Sequence, residues 1–202
     1  HTTQHRLREK KALERAGIPV APYRAVDSAD RLLRAIDELG VPAVLKTCRG
    51  GYDGKGQRVI RFRAEAHAAF EELAAEGQEL VLEQFVPFDK EISVIAARTP
   101  SGDVRTFPPA ENVHVENILH LSIVPARISR EIAEKASALA VRVAESLDVV
   151  GLIAVEMFLG ADGQLFVNEL APRPHNSGHY TMEACATSEF DQHVRAVCNL
   201  PL

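Results

Sequence analysis

Two glutamates near the carboxyl end of the chain have the spacing of a cation site. Glu156 and Glu169 lie in apolar segments on either side of Asp162-Gly163, a strong signal for a tight hairpin turn. A two-residue turn places Glu156 directly opposite Glu169, with Cβ atoms about 5 Å apart, where carboxylates repel unless a cation or a shared proton compensates. Mg²⁺ favours oxygen ligands, and the neighbouring Asn168 could supply another. The alternatives are two glutamates turned into water, or a longer turn with another register.

A glycine-rich segment earlier in the chain could approach phosphate groups. Four glycines fall within Gly50-Gly51-Tyr52-Asp53-Gly54-Lys55-Gly56, where they leave backbone N–H groups accessible to an anion. The segment is not a P-loop, because Lys55 is followed by glycine, and it is not a dinucleotide fingerprint, because a strand follows it. Lys46 ends the preceding strand among apolar residues, where an ammonium group needs an anionic partner. The alternatives are a flexible hairpin loop and a solvated lysine.

Polar donors cluster directly after the carboxylate hairpin. Arg173, His175 and Asn176 lie within four residues, and Pro172 and Pro174 stiffen the loop that carries them. Donors at this density could bind a small oxyanion, although single loop side chains of these types are more often solvated. A second polar segment, 83–91, forms a bend that could hold a flat ligand by its backbone while a carboxylate binds sugar hydroxyls.

The elements that must position these groups indicate an α+β protein. Capping residues and apolar periodicity predict five helices, and short apolar runs bounded by turn residues predict seven strands. The expected helices cover 4–16, 28–40, 64–75, 129–147 and 182–197, and the expected strands cover 41–47, 57–62, 80–85, 91–98, 104–107, 152–159 and 164–170. Between the strand that ends at Phe107 and the Ser129 cap, we expect an irregular stretch.

The amino-acid composition limits the classes of partner that this chain could bind. The 202 residues are 46% hydrophobic, enough for a real core. A net charge of -5, with both signs interspersed, provides no basic face for nucleic acid or anionic lipid. No apolar run approaches the roughly 20 residues of a membrane span, and no signal peptide is evident. We therefore predict a cytoplasmic protein without nucleic-acid or membrane partners, whose three cysteines are reduced.

Taken together, the motifs resemble the ATP-grasp superfamily and, within it, the N5-carboxyaminoimidazole ribonucleotide synthetases. The most specific segments are Gly50 to Gln57 and Asn168 to His179, and the resemblance covers essentially the whole chain. It implies an α+β ATP-grasp fold whose two lobes clasp a nucleotide between them. Residues 1–17 would form a leading helix, 18–86 a small lid lobe with the glycine-rich loop, and 87–202 a larger lobe with the magnesium-binding hairpin and substrate loop. We expect the family's flanking N- and C-terminal domains to be absent from this chain, and we expect a homodimer at full length.

The resemblance also implies a role for each matching residue. Glu156 and Glu169 would bind Mg²⁺, with Mn²⁺ as an alternative. Arg173, His175 and Asn176 would form the catalytic bicarbonate site and, with Tyr52 and Asp53, would bind the ribonucleotide. Glu189 stands where glutamine is more usual, and its role is open. The ATP-binding residues would be Arg6, Lys46, Gly51, Tyr52, Asp53, Gly54, Lys55, Gly56, Gln57, Glu83, Gln84, Phe85, Val86, Glu91, His114, Asn168 and Glu169.

The implied activity is the ATP- and bicarbonate-dependent carboxylation of 5-aminoimidazole ribonucleotide in purine synthesis. Bicarbonate would attack the γ-phosphorus to give carboxyphosphate and ADP, and the exocyclic amine would then take up the carboxyl group. Two alternatives stay open. Another carboxylate–amine ligase of the superfamily should differ in the 173–179 loop, and a nucleotide-binding module without turnover would not need the intact glutamate pair.

Overall fold

The structure, a computed structural model, describes residues 2–51, 54–74 and 78–202. These residues divide into two units, each built on its own antiparallel sheet. The described residues of the first unit lie within 2–11, Ala21–Pro87 and Glu116–Ile118, and the second unit comprises Ala12–Val20, Phe88–Val115 and Leu119–Leu202. Antiparallel sheets with packed helices confirm the predicted α+β class.

The first unit has a four-stranded sheet with helices against one face. Residues of α2 and α3 pack on β2 and β4 in a core that includes Leu32, Ile36, Leu45 and Leu82. The opposite face carries a smaller cluster of Leu7, Cys48 and Val81. The sheet order is β1-β4-β2-β3. The elements are the first part of α1 (Arg6–Arg15), whose residues from Ala12 onward belong to the second unit, and β1 (Tyr23–Val26), α2 (Ala29–Leu39), β2 (Ala43–Thr47), β3 (Gln57–Ile60), α3 (Ala66–Leu73) and β4 (Leu80–Gln84).

The second unit has a larger sheet that is covered on both faces. The long amphipathic helix α4 places Ala140 and Val143 in one core, together with Val155 and Met157 of β9. The other face packs against Ala196 of α6. The sheet order is β10-β9-β5-β7-β8, and β6 pairs with β5. The elements are β5 (Phe88–Arg98), β6 (Val104–Thr106), β7 (Ala110–Val115), β8 (Ile118–Ile123), α4 (Arg130–Ser146), β9 (Gly151–Gly160), β10 (Leu165–Ala171), α5 (Thr181–Ala184) and α6 (Glu189–Val197).

Local capping explains why several predicted boundaries are nearly right. The Ser28 and Ser129 hydroxyls accept from backbone N–H groups in the first turns of α2 and α4. Gly40 has a positive φ of 80° where α2 ends. Within the described ranges, no helix combines the length and hydrophobicity that crossing a bilayer requires.

Three expectations about the elements were wrong. The stretch predicted to be irregular contains the hairpin of β7 and β8, strand β1 was not predicted, and the single predicted C-terminal helix is two helices. The Ser188 hydroxyl caps the second of these by accepting from Asp191 N–H, after an extended Cys185. A cap inside a periodic apolar pattern therefore restarts the helix.

Candidate active site

The glutamate pair lies on the β9–β10 hairpin of the second unit. Gly160 N–H donates to the Gln164 carbonyl at 2.9 Å, which closes a three-residue loop instead of the predicted two-residue turn. Val167 accordingly faces Met157, but the register shifts between Val167 and Glu169, and Glu169 then directly faces Glu156. The predicted pairing is confirmed. It arises from a longer loop whose offset is reversed by a bulge at Asn168.

The bulge also decides which face of the sheet Glu169 occupies. Leu165 and Val167 lie in the apolar core that α4 covers. Because side chains alternate between faces along a strand, Glu169 would follow them into that core if Asn168 were not an extra residue. With the bulge, Glu169 shares the opposite face with Glu156 and with Ser93, the β5 partner of Glu156.

The pair suits a cation that is shared with another ligand. The side-chain oxygen of Asn168 is buried and accepts no hydrogen bond from the described residues. Across the same described ranges, no three His, Cys, Asp or Glu side chains are grouped to hold a metal by themselves. Two carboxylates and an amide oxygen fit an ion such as Mg²⁺, which completes its coordination with water and phosphate oxygens.

His175 connects the predicted substrate loop to the glutamate pair. Its Nε2 lies 3.1 Å from Glu156 Oε1. Arg173 is exposed, and its guanidinium donates to the Pro174 carbonyl at 2.9 Å. Asn176 is also exposed and begins a 3₁₀ turn, Asn176–Gly178. The structure therefore brings His175 to the pair and leaves Arg173 and Asn176 at the surface.

Glu189 is buried against the backbone of this loop. Its Oε2 accepts from His175 N–H at 2.9 Å, and its Oε1 is 3.8 Å from His179 Nε2. A Cβ added at Gly178 would lie 2.5 Å from Glu189 Oε2, so the loop packs directly on the carboxylate. Burial raises the pKa of Glu189. The role of Glu189 could not be predicted from the sequence, whereas in the structure its carboxylate supports the loop.

We expect Glu189→Gln and Glu189→Ala to differ in how much stability they lose and in how their stability depends on pH. A raised pKa means that the folded state binds the proton more tightly, so stability should fall as pH rises from the ordinary carboxyl pKa to the raised one. Glu189→Gln should lack this decline because glutamine does not titrate. It should also lose little stability, because its amide oxygen can still accept from His175 N–H. Glu189→Ala should lose about 2–5 kcal/mol because it leaves a cavity and an unpaired N–H. Denaturant unfolding at several pH values between about 4 and about 8 measures the free energy of unfolding of each variant. If this free energy changed with pH equally in the parent and in Glu189→Gln, the buried-acid interpretation would be contradicted.

Glu91 and His114 meet on strands β5 and β7. The Nδ1 atom of His114 is 3.0 Å from Glu91 Oε2. This contact with the Glu91 carboxylate raises the pKa of His114, although partial burial opposes the shift. The cationic imidazolium is thereby favoured, and a cation suits a phosphate-bearing ligand. The structure thus brings together two residues that the resemblance assigned to the nucleotide.

A buried ion cluster lies in the first unit, where two ammonium groups share one carboxylate. Glu83 Oε2 is 3.1 Å from Lys46 Nζ and 3.2 Å from Lys10 Nζ. Burial alone would raise the pKa of Glu83, but the charges of Lys46 and Lys10 outweigh it and lower that pKa. Burial lowers the pKa of Lys10. Sequence reasoning missed Lys10, because a lysine among other charged residues of a helix gives no signal of burial.

The bend after β4 is fixed by backbone hydrogen bonds. Gln84 N–H donates to the Pro22 carbonyl at 2.8 Å, and Phe85 N–H donates to the Pro42 carbonyl at 3.2 Å. The Phe85 ring is exposed and Val86 is half-buried. The Glu83 carboxylate is engaged by lysines, so a nucleotide contact at this bend would be made by the backbone.

The glycine-rich segment is described except for Tyr52 and Asp53, which lie outside the described residues together with their predicted roles. Gln57 begins β3 directly opposite Lys46, and Lys55 is exposed. A Cβ added at Gly51 would lie 3.5 Å from an Arg6 guanidinium nitrogen. Gly54 has a φ of 75°. Within this unit the structure therefore gathers Arg6, Lys46 and the described part of the segment.

Gly56→Ala should destabilise the first unit far more than Gly50→Ala. Both glycines have positive φ, at 68° and 75°, which costs an alanine about 1–2 kcal/mol. A Cβ at Gly56 would also lie 2.6 Å from Thr47 Oγ1, whereas nothing lies within 4 Å of a Cβ at Gly50. We expect a further loss of about 1–3 kcal/mol from this overlap. Urea unfolding of the two variants provides the comparison, and equal losses would count against the close packing.

A family model for the ATP-grasp domain matches residues 11–190. The chain belongs to the ATP-grasp family, as its sheets and its carboxylate hairpin suggested. It is similar to the N5-carboxyaminoimidazole ribonucleotide synthase of Bacillus subtilis (strain 168), with 56% identity over 200 residues, 99% of this chain and 52% of that protein.

Solved structures agree with this placement. An ADP complex of an N5-carboxyaminoimidazole ribonucleotide synthetase has a TM-score of 0.94 and 58% identity, over 100% of this chain and 53% of that one. The Aspergillus clavatus N5-carboxyaminoimidazole synthase, in complex with ADP and 5-aminoimidazole ribonucleotide, has a TM-score of 0.92 and 34% identity, over 100% of this chain and 52% of that one. The predicted ATP-grasp fold is confirmed, and the chain spans about half the length of the relatives it matches.

Proposed function

We propose that this chain is the ATP-grasp part of an N5-carboxyaminoimidazole ribonucleotide synthase. It would use ATP and bicarbonate to carboxylate 5-aminoimidazole ribonucleotide in purine synthesis. The observation that carries the proposal is the directly opposed pair of Glu156 and Glu169, with His175 Nε2 at 3.1 Å from Glu156. Phosphoryl transfer to bicarbonate needs a cation that neutralises phosphate charge and a donor that binds an oxyanion, and these three residues would provide both.

The proposed first step is attack of a bicarbonate oxygen on the γ-phosphorus of ATP. The bond from that phosphorus to the bridging oxygen of ADP breaks, leaving carboxyphosphate and ADP. The chain's own contribution is electrostatic, because Lys46, His114 and the His175 ring N–H offer positive charge or donors to phosphate and carboxylate oxygens. Mg²⁺ held by Glu156 and Glu169, with Asn168, would supply neutralisation of the triphosphate.

The proposed second step transfers the carboxyl group. The exocyclic amine of the ribonucleotide attacks the carboxyl carbon of carboxyphosphate and breaks its bond to the phosphate oxygen, or it attacks CO₂ after that bond has broken. Inorganic phosphate is the leaving group in both cases, and it takes up the proton that the amine loses. No protein nucleophile is required. Arg173 and Asn176 are exposed beside His175 in sequence, and both would contact bicarbonate, as the resemblance implies. Tyr52 and Asp53 would contact the ribonucleotide, as the resemblance implies.

Phosphate release from MgATP and bicarbonate, with and without 5-aminoimidazole ribonucleotide, tests the function. We expect release that depends on the ribonucleotide and is lost in Glu169→Ala. Glu134→Gln, which changes an exposed glutamate paired with Arg130, is the matched control and should behave as the parent. Release that needs a different amine would favour another carboxylate–amine ligase. ATP binding without any release, in the full-length protein, would favour a nucleotide-binding module.

Two further features follow from the same proposal. The reaction uses the ATP pool, so we place the protein in the cytoplasm. We also propose a homodimer for the full-length protein, and sedimentation would test this.

A further inference from the structure

A chain of buried hydrogen bonds leads across the sheet to His175. Asn112 of β7 donates its side-chain N–H to Ser93 Oγ of β5 at 2.9 Å, and Ser93 donates to Ser177 Oγ at 2.8 Å. The Ser177 hydroxyl lies 2.9 Å from His175 Nδ1. Asn112, Ser93 and Ser177 are 6%, 1% and 1% exposed, so water does not compete for these bonds.

The chemistry of the donors gives this chain a direction. The amide nitrogen of Asn112 can only donate, and Ser122 Oγ fixes the amide by donating to its oxygen at 2.9 Å. Ser93 therefore accepts from Asn112 and uses its single hydrogen on Ser177. The hydrogen of Ser177 is then available for His175.

The backbone supplies independent evidence for the same direction. The N–H of Ser177 donates to His175 Nδ1 at 3.3 Å. A ring nitrogen that receives donors carries no hydrogen, so the hydrogen of a neutral imidazole must be on Nε2. That nitrogen is the one 3.1 Å from Glu156 Oε1.

We propose that Ser93 and Ser177 are positioning residues that hold His175 as the Nε2–H tautomer. The inference rests on the proposed function. His175 then presents a fixed N–H donor beside the carboxylate pair, where an oxygen of bicarbonate or carboxyphosphate gains negative charge. Donors that are already oriented need no reorganisation during the reaction. In this form, His175 stabilises charge and does not act as a base.

Ring ¹⁵N shifts of the histidines test the tautomer without requiring turnover. The His175 signals are assigned by their loss in His175→Gln. We expect the parent to show a protonated Nε2 and a bare Nδ1, and Ser177→Ala to move toward a mixture of tautomers. His193 is an internal control for folding, because its Nδ1 accepts from Leu152 N–H at 3.2 Å in the same unit. A parent with its hydrogen on Nδ1 would overturn the proposal.

Kinetics of the full-length protein provide the second test. We expect Ser177→Ala to lower kcat about tenfold with the KM for ATP unchanged, because the His175 ring loses the hydroxyl that orients it. Ser93→Ala should act in the same direction if Ser177→Ala fails to fold, and Ser93→Thr should restore activity because it keeps the hydroxyl. Ser146→Ala, which removes a hydroxyl bonded to the Val143 carbonyl, is the matched control.

The two tests separate the two hypotheses. Unchanged ring shifts and unchanged kcat in Ser177→Ala would overturn the role of the serines. The expected ring shifts, in a parent without ribonucleotide-dependent phosphate release, would support the serines as positioning residues while contradicting the proposed function.

Discussion

Replacing Glu83 with glutamine should destabilise the first unit by about 3–5 kcal/mol, because removing one partner from a buried ion cluster leaves uncompensated charge. Lys10 and Lys46 both lie against Glu83 Oε2, with side chains 3% and 9% exposed. Glutamine keeps the shape but leaves two ammonium groups without their carboxylate. Urea unfolding, followed by signals from the first unit, measures the loss.

The matched control for Glu83→Gln is Glu38→Gln. Glu38 pairs with Arg24 in the same unit, but both side chains are about half exposed. An exposed pair contributes roughly 0.2–1 kcal/mol. A loss in Glu83→Gln no larger than in Glu38→Gln would show that the buried cluster is not an important source of stability. Adding Lys10→Met to Glu83→Gln should recover part of the loss, because one unpaired charge is removed.

The same cluster predicts a pH dependence of stability. The pKa of Glu83 is lower in the folded chain than in the unfolded chain. Its contribution is therefore present above the ordinary carboxyl pKa and is lost as pH falls through the lowered one. Glu83→Gln should lack this acid-side loss, and unfolding curves below about pH 5 compare the two.

Glu156→Gln should have opposite effects on activity and stability. We expect ribonucleotide-dependent phosphate release to fall by about 10²–10³-fold, the usual cost of removing one group that stabilises transition-state charge. Without a cation, however, the substitution relieves the repulsion between directly opposed carboxylates, so the second unit should gain about 0.2–1 kcal/mol. MgATP should raise the Tm of the parent clearly more than that of the variant.

Glu134→Gln again serves as the control, since it breaks an exposed ion pair on α4. We expect it to leave phosphate release unchanged and to cost at most roughly 0.2–1 kcal/mol of stability, which is opposite in sign to the gain expected for Glu156→Gln. If Glu156→Gln lost stability in the absence of Mg²⁺, the pair would be held together by a shared proton or by other contacts. If it kept full activity, Glu156 would not be a cation ligand.

The sequence was most informative where the signal was local. Ser28, Gly40 and Ser129 fix helix ends through bonds to adjacent backbone, and the structure has those ends within a residue or two. The β7–β8 hairpin was missed because its turn consists of Glu116 and Asn117, both at positive φ without glycine. These residue types predict a turn less strongly than Asn-Gly does.

The residue types of the candidate site could be predicted from the sequence, but most of the contacts between them could not. The pairing of Glu156 with Glu169 was predicted from a two-residue turn, and the structure reaches it through two offsets that cancel. Neither offset has a sequence signature. Lys10, Ser93 and Ser177 were not identified, because each is an ordinary polar residue until the fold buries it beside a distant partner. Long-range burial is a property of the assembled sheet and has no local pattern.

The bulge at Asn168 has a consequence for protein engineering. Deleting this one residue would turn Glu169 into the apolar core that α4 covers. Shortening the 161–163 loop alone would shift the register of the opposing strand. The loop and the bulge therefore have to be kept together, because their two register offsets cancel. A hairpin transplanted into another antiparallel scaffold to place two glutamates opposite each other would have to carry residues 156–169 as one segment.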